Sequence, residues 1–131
     1  MLNAKALKKG LEQFTGTTRY FYHSFGLQYT DGIHYLSKKA KCDWLINVIA
    51  LHQPQLIENP MLEAFQLWIL TVGNGHEFIK PQGATVLTCW EDEPKAGDTP
   101  IICQEFELTN FPLPEVRLYV QKSLLMLPSE Y

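Results

Sequence analysis

The side chains of this chain that are equipped to act as acids, bases, nucleophiles or metal ligands are few and dispersed. They are His23, His34, His52 and His76, the thiols of Cys42, Cys89 and Cys103, and a carboxylate pair at Glu105 and Glu107. A zinc site legible in sequence needs closely paired ligands, and no CxxC, HxxxH or HExxH spacing occurs. Only folding would bring His23 to His34, or Cys89 to Cys103, and reduced cysteines on neighbouring strands are more often packing than ligation. No metal and no cofactor is expected. Cys42 lies near a predicted helix start, where a thiolate is stabilised, so a Cys–His hydrolase is the enzyme to weigh. No histidine is fixed beside it and no local signature surrounds it, which favours a buried structural thiol. Glu105 and Glu107 share a strand face next to the Glu91–Glu93 turn. Without apolar surroundings to raise a carboxyl pKa, they read as a solvated acidic face. The glycines are scattered, and Gly73-Asn74-Gly75 lacks the lysine and helix of a phosphate loop.

A tighter grouping surrounds Arg19, Tyr22, His23, Thr30, Asp31 and Tyr35. Six residues separate His23 from Thr30, so a strand ending at His23 must turn back close to the helix that opens at Thr30-Asp31-Gly32. Helix openings present free amides and partial positive charge, and Arg19 and His23 on one strand face add donors. A small anionic or polar ligand fits such a place, with Tyr22 or Tyr35 as a wall. The competing reading, which the sequence favours, has Asp31 neutralise the amides and pair with Arg19 as a structural bridge. A second grouping is basic: Lys5, Lys8, Lys9, Lys38, Lys39 and Lys41, with Tyr20, Tyr22 and Tyr35 near them in sequence. Nucleic-acid binding needs such lysines interleaved with stacking aromatics, but the chain as a whole is acidic, so this is not the favoured partner.

The elements that must position these residues follow from periodicity. The run from Glu63 to Val72 is apolar on both alternating faces, rich in aromatic and β-branched residues, and bounded by Asn59-Pro60 and Gly73-Asn74-Gly75. It predicts a central strand covered on both sides, with Trp68 packed against helices. Before it, Leu7, Leu11 and Phe14 mark a first helix capped by Asn3 and broken at Thr15-Gly16-Thr17. Residues 19–23 read as a short strand, residues 24–28 as loop, and residues 30–41 as a second helix whose charges complement its dipole. A third helix is predicted from Trp44 to His52, with a buried strand as the alternative and Pro54 as its end. After the central run the period is two, giving strands at 84–91, 101–109, 116–121 and 124–127, an acidic loop at 91–98 and a bend at 110–114. The fold class is therefore α+β: an antiparallel meander of four to five strands from the C-terminal half, packed against about three N-terminal helices. The last strand, Leu124 to Leu127, is apolar on both faces, and as a sheet edge it would need covering; a second copy of the chain is one way to cover it.

With 131 residues, 46% hydrophobic and 19% charged, the chain has the composition of one globular domain. No apolar run reaches the length of a membrane span, and the basic start lacks the apolar core of a secretion signal. Three widely spaced cysteines suit a reducing, cytoplasmic setting better than a disulfide framework. Net charge is −3, but residues 1–60 carry +3 and residues 61–131 carry −6, a dipolar distribution that can guide docking.

The segments LEQFTGT (11–17), YFYH (20–23), TDGIHYL (30–36), WLINVIA (44–50), FQLWIL (65–70), FELTNFPLPEVRLYV (106–120) and LPSEY (127–131) span nearly the whole chain. On them the chain resembles a family of small bacterial proteins, largely cyanobacterial, that form a domain of unknown function. Asn110 departs from it, standing where related chains usually have aspartate. The resemblance implies no activity, cofactor or catalytic residue. Residues and resemblance together favour a non-catalytic, cytoplasmic binding or interaction module, with an unknown protein or a small anion as partner and a homodimer as an option. The alternatives are a small enzyme with an unrecognised site, or a nucleic-acid accessory protein using the basic face.

Overall fold

The structure, a computed structural model, describes residues 4–15, 19–72, 85–106 and 114–131. Among these, four helices lie with a seven-stranded sheet. The elements in chain order are α1 (Ala4–Leu11), β1 (Tyr20–Tyr22), a 3-10 turn (Ser24–Gly26), β2 (Gln28–Thr30), α2 (Asp31–Lys39), α3 (Asp43–Leu56), α4 (Pro60–Ala64) and β3 (Gln66–Val72). Then come β4 (Thr85–Trp90), β5 (Ile102–Phe106), β6 (Glu115–Gln121), β7 (Leu124–Met126) and a closing 3-10 turn (Pro128–Glu130). The strand order is β1-β2-β7-β6-β3-β4-β5, antiparallel throughout except for the parallel pair β2 and β7.

The α+β class and the central strand agree with the expectation; the meander does not. β6 returns to pair with β3 rather than with β5, so β3 sits between β4 and β6. The sheet is larger than four to five strands because the N-terminal half contributes the β1–β2 hairpin. Its second strand, Gln28–Thr30, runs from the end of the stretch that reads as loop, residues 24–28, to the residue that reads as the start of the second helix, since three residues are too few to display a period. β7 is not an edge. It lies between β2 and β6, so the reason given for a second copy there does not hold. The fourth helix occupies Pro60–Ala64, where the sequence extends the strand back to Glu63. Asn59 caps it by accepting from the Met61 amide, and Pro60 at the first position spares an amide that has no helical partner anyway. α3 is a helix, as favoured, but continues past Pro54 to Leu56. In the last turn the proline forfeits only the bond back to Ala50, and burial of Gln53 and Leu56 carries the helix beyond it. The expected cap at Asn3, the break at Gly16, the strand ends at 107–109 and most of the 110–114 bend lie outside the described residues.

One face of the sheet carries the helices. Leu7, Ile33, Leu36, Leu45, Ile49 and Leu62 pack there on Trp68, Leu70, Leu87, Leu118, Val120 and Leu125. On the opposite face Leu67, Ile69 and Trp90 form a smaller buried cluster with Phe65 and Tyr119 against it. The only amides in the large core belong, among the described residues, to Gln53 of α3 and Gln66 of β3. Each donates Nε2 to the other's Oε1 at 2.9 Å; Gln66 also donates to the Leu62 carbonyl, Gln53 to the Ile49 carbonyl, and Trp68 Nε1 donates to Gln66 Oε1 at 2.8 Å. Trp68 is fully buried. Trp68→Ala therefore empties a large site and removes one of these donors, and should cost about 3–5 kcal/mol in urea unfolding. A loss under about 1 kcal/mol would mean that the core does not close on this residue.

Candidate functional site

The opening of α2 is built as the sequence suggests, but it is already filled. Thr30 caps the helix by accepting from the Ile33 amide, and its own hydroxyl donates to Glu130 Oε1 at 2.7 Å. The other oxygen of Glu130 accepts from the Gly32 amide at 3.3 Å, beside Asp31 Oδ1 at 3.1 Å. Glu130 Oε1 also accepts from the Leu127 amide at 3.0 Å, closing the 3-10 turn on itself. The place proposed for an anion thus holds the chain's own carboxylate. Burial pushes the Glu130 carboxyl above the usual carboxylate range, and nearby Asp31 adds to this, while bonds from Thr30, Leu127 and Gly32 pull the other way. Glycine at 32 makes the approach possible, because a Cβ there would lie 2.5 Å from Glu130 Oε1. Next to it, Ser129 donates to the Phe14 carbonyl and anchors the same turn to the segment after α1.

Arg19, Tyr22 and His23 go elsewhere, onto the hairpin at the sheet edge. Phe21 stacks on His34 of α2 with centroids 4.2 Å apart and on Tyr29 at 5.3 Å, and the Arg19 guanidinium lies 5.3 Å from its ring centre. His23 Nε2 meets Asn47 Oδ1 of α3 at 2.6 Å. Phe21 therefore points to the helical side, and Tyr20 and Tyr22, by strand alternation, point to the other. Both are open to solvent, Tyr20 at 54% and Tyr22 at 79%. The loop between the strands holds Phe25, 55% exposed at φ +65°, before Gly26 at φ +76°. Left-handed backbone costs a bulky residue about 1–2 kcal/mol, and Phe25 adopts it while leaving its ring open to solvent.

The hairpin also turns backbone groups away from its own ladder. The His23 amide donates to the Leu27 carbonyl at 2.8 Å, and the register pairs Phe21 with Tyr29 two residues on. In an antiparallel ladder bonded pairs alternate, so the amides and carbonyls of Tyr20 and Tyr22 face away from β2. The Gln28 amide confirms the phase on the other side, turning outward to the Ser123 carbonyl. β1 is thus the outermost strand among those described, with Tyr20 and Tyr22 open in both side chain and backbone.

The remaining candidates separate. Tyr35 is spent on packing, its ring 5.2 Å from Phe14 and 5.8 Å from the Lys39 ammonium. Lys5, Lys8 and Lys9 are exposed on α1, which packs on α2, where Lys38 and Lys39 are exposed in the last turn and Lys41 just beyond; Lys38 pairs with Asp43 at 3.7 Å. With Tyr35 engaged, its ring is not open to stack on a base beside these lysines. Cys42 is buried at the start of α3, its thiol pushed up to about 12 by desolvation and by Asp43, which opposes a thiolate nucleophile. Cys89 is likewise pushed up to about 12 by burial. Cys89 pairs with Ile102 and Cys103 with Thr88, so the two thiols lie on opposite faces of the sheet. Among the described residues no group of three His, Cys, Asp or Glu is placed to hold a metal ion. Arg117 bonds both Glu93 and Glu115; burial alone would lower its pKa, but these carboxylates hold it above the ordinary value.

A match to the family of unknown function DUF6876 runs over residues 5–131. The chain belongs to that family. No curated protein and no solved structure matches it. No helix among the described residues is long and apolar enough to cross a membrane.

Three functional or structural residues escape a reading of the sequence. Glu130 sits 98 positions from Gly32, and the only local sign of it is a glycine at the second position of a helix, where glycine has no local advantage. Phe25 carries no signal, since a left-handed phenylalanine cannot be inferred from its type. Gln53 is hidden by Pro54.

Two outcomes follow. In a double-mutant cycle, Gly32→Ala in a Glu130→Ala background should stabilise by up to about 1 kcal/mol through helix propensity. With Glu130 present that gain should vanish or reverse, because the new methyl displaces the carboxylate; equal effects in both backgrounds would remove Glu130 from the helix opening. Native-state alkylation should modify Cys103, which is exposed, and spare Cys42 and Cys89 until denaturant is added. Mass-mapped modification of Cys42 at the same rate as Cys103 would contradict its burial.

Proposed function

We propose that this chain is a non-catalytic interaction module that captures an extended segment of a partner polypeptide along β1. The observation that carries this reading is the coincidence, on one three-residue edge, of outward-facing backbone groups with two exposed tyrosines. Strand addition takes its affinity from main-chain hydrogen bonds and its selectivity from alternate side chains, and tyrosine supplies contact area at low entropic cost. Phe25 extends the exposed aromatic surface past the strand, at the turn that joins β1 to β2. Arg19 stands exposed at the entrance of the edge, its guanidinium over the Phe21 ring. The free thiols of Cys42, Cys89 and Cys103 suit a reducing compartment, in keeping with work in the cytoplasm of a bacterial cell.

The reading predicts separable effects. Tyr22→Lys and Phe25→Gly should each abolish recovery of a partner from host extract, while Cys103→Ser on β5 leaves it unchanged. Phe25→Gly should hold or raise the thermal midpoint, since it relieves the left-handed backbone. A photoreactive phenylalanine analogue at position 22 should crosslink to one contiguous segment of that partner. Recovery unaffected by either hairpin substitution would sink the proposal.

A further inference from the structure

We infer that the segment β1 accepts is β1 of a second copy, paired antiparallel about a two-fold axis through Phe21. This rests on the reading of β1 as a docking edge and names its occupant. Tyr20-Phe21-Tyr22 is a palindrome, and it is centred on the residue whose amide and carbonyl already face β2. A two-fold axis at Phe21 sets Tyr20 opposite Tyr22 of the copy and Tyr22 opposite its Tyr20. Both are outward-facing residues, so each pair exchanges two hydrogen bonds and all four exposed amides and carbonyls of the edge are satisfied with none left over. A register shifted by one residue would oppose an outward pair to an inward one and form no ladder.

The side chains obey the same symmetry. Tyr20 and Tyr22 leave the sheet on the face away from the helices, so each meets a tyrosine of the copy there, an aromatic cross-strand pair. Phe21 of each copy stays against its own His34 and Tyr29 and need not move. Arg19 comes opposite His23 of the copy, and no carboxylate faces a carboxylate and no lysine or arginine faces another along the paired segment. Joining the edges makes one continuous sheet through both copies and leaves β1 without a free edge. The paired segment is short, so the dimer is a weak, concentration-dependent one.

The test uses the full chain in sedimentation velocity from about 5 μM to about 1 mM, a span that brackets weak association. The wild type should shift from monomer to dimer across it, with the amides of Tyr20 and Tyr22 exchanging more slowly with deuterium as the dimer fills. Tyr20→Lys/Tyr22→Lys sets lysine against lysine twice and should weaken association by at least about tenfold. Tyr20→Glu/Tyr22→Glu should do the same, and an equimolar mixture of the two variants should form the heterodimer. Both sites are exposed, and circular dichroism confirms the fold of each variant. A wild type that stays monomeric to about 1 mM, or a dimer that both double variants retain, overturns the inference. A monomer whose hairpin still captures a host polypeptide overturns it too, yet leaves the proposed function standing.

Discussion

Gln66 enters the sheet with its side chain in the apolar layer beneath the helices, where an amide lacking partners would cost several kcal/mol. Gln53, descending from α3, supplies both the donor and the acceptor it needs, and Trp68 and the Leu62 carbonyl complete the set. Two buried amides that bond one another in both directions impose a fixed register between helix and strand. A slip of one residue in β3 would turn Gln66 to the other face and strand Gln53 among leucines. Most of the helical layer around it is apolar and, by itself, tolerant of sliding, and a second polar contact joins α3 to β5 where His52 Nε2 meets Gln104 Oε1 at 3.2 Å. Directional bonds at these points set where α3 lies, and through α3 the His23–Asn47 contact that steadies the hairpin.

A second constraint comes from the order of the strands. Among the described residues the hairpin joins the sheet through β7, and β7 leads directly into the turn whose Glu130 caps α2. Thr30 is the joint of this arrangement: it ends β2, caps α2 and holds Glu130 at once. Tyr131 then folds onto Phe65 and Tyr119 on the opposite face, centroids 5.8 and 5.4 Å away. Three layers of the molecule meet within five residues of chain.

What the sequence disclosed and what it concealed divide along physical lines. β3 was legible because burial on both faces leaves a continuous apolar run, and β6 because Val116, Leu118 and Val120 alternate with half-buried Arg117 and Tyr119. The cap at Thr30 is local chemistry and was readable as such, whereas Asn59-Pro60 was read only as a boundary, so the helix it opens was missed and the strand begins later than its composition implies. The pairing of β6 with β3 was not readable, since alternation tells which face a residue takes and nothing about its neighbour. Strands of three residues, such as β2, give no period at all. In the candidate site Arg19, Tyr22 and His23 were placed on one short strand; Tyr22 lies in β1 and the other two flank it, while the partner of Thr30 and Gly32 lies about a hundred residues on. A carboxylate nearly a hundred residues away leaves no mark on the sequence around it.

The parallel pairing of β2 with β7 has a consequence for the making of the protein. A hairpin built by residue 30 finds its sheet neighbour, among the described residues, at residues 124–126, so during synthesis it waits until those residues have been translated. Throughout that interval both of its edges are open, the one β7 will later cover as well as the one carrying Tyr20 and Tyr22. Short strands, too few in residues to template a neighbour's pairing firmly, are a safeguard for a nascent chain on a crowded polysome.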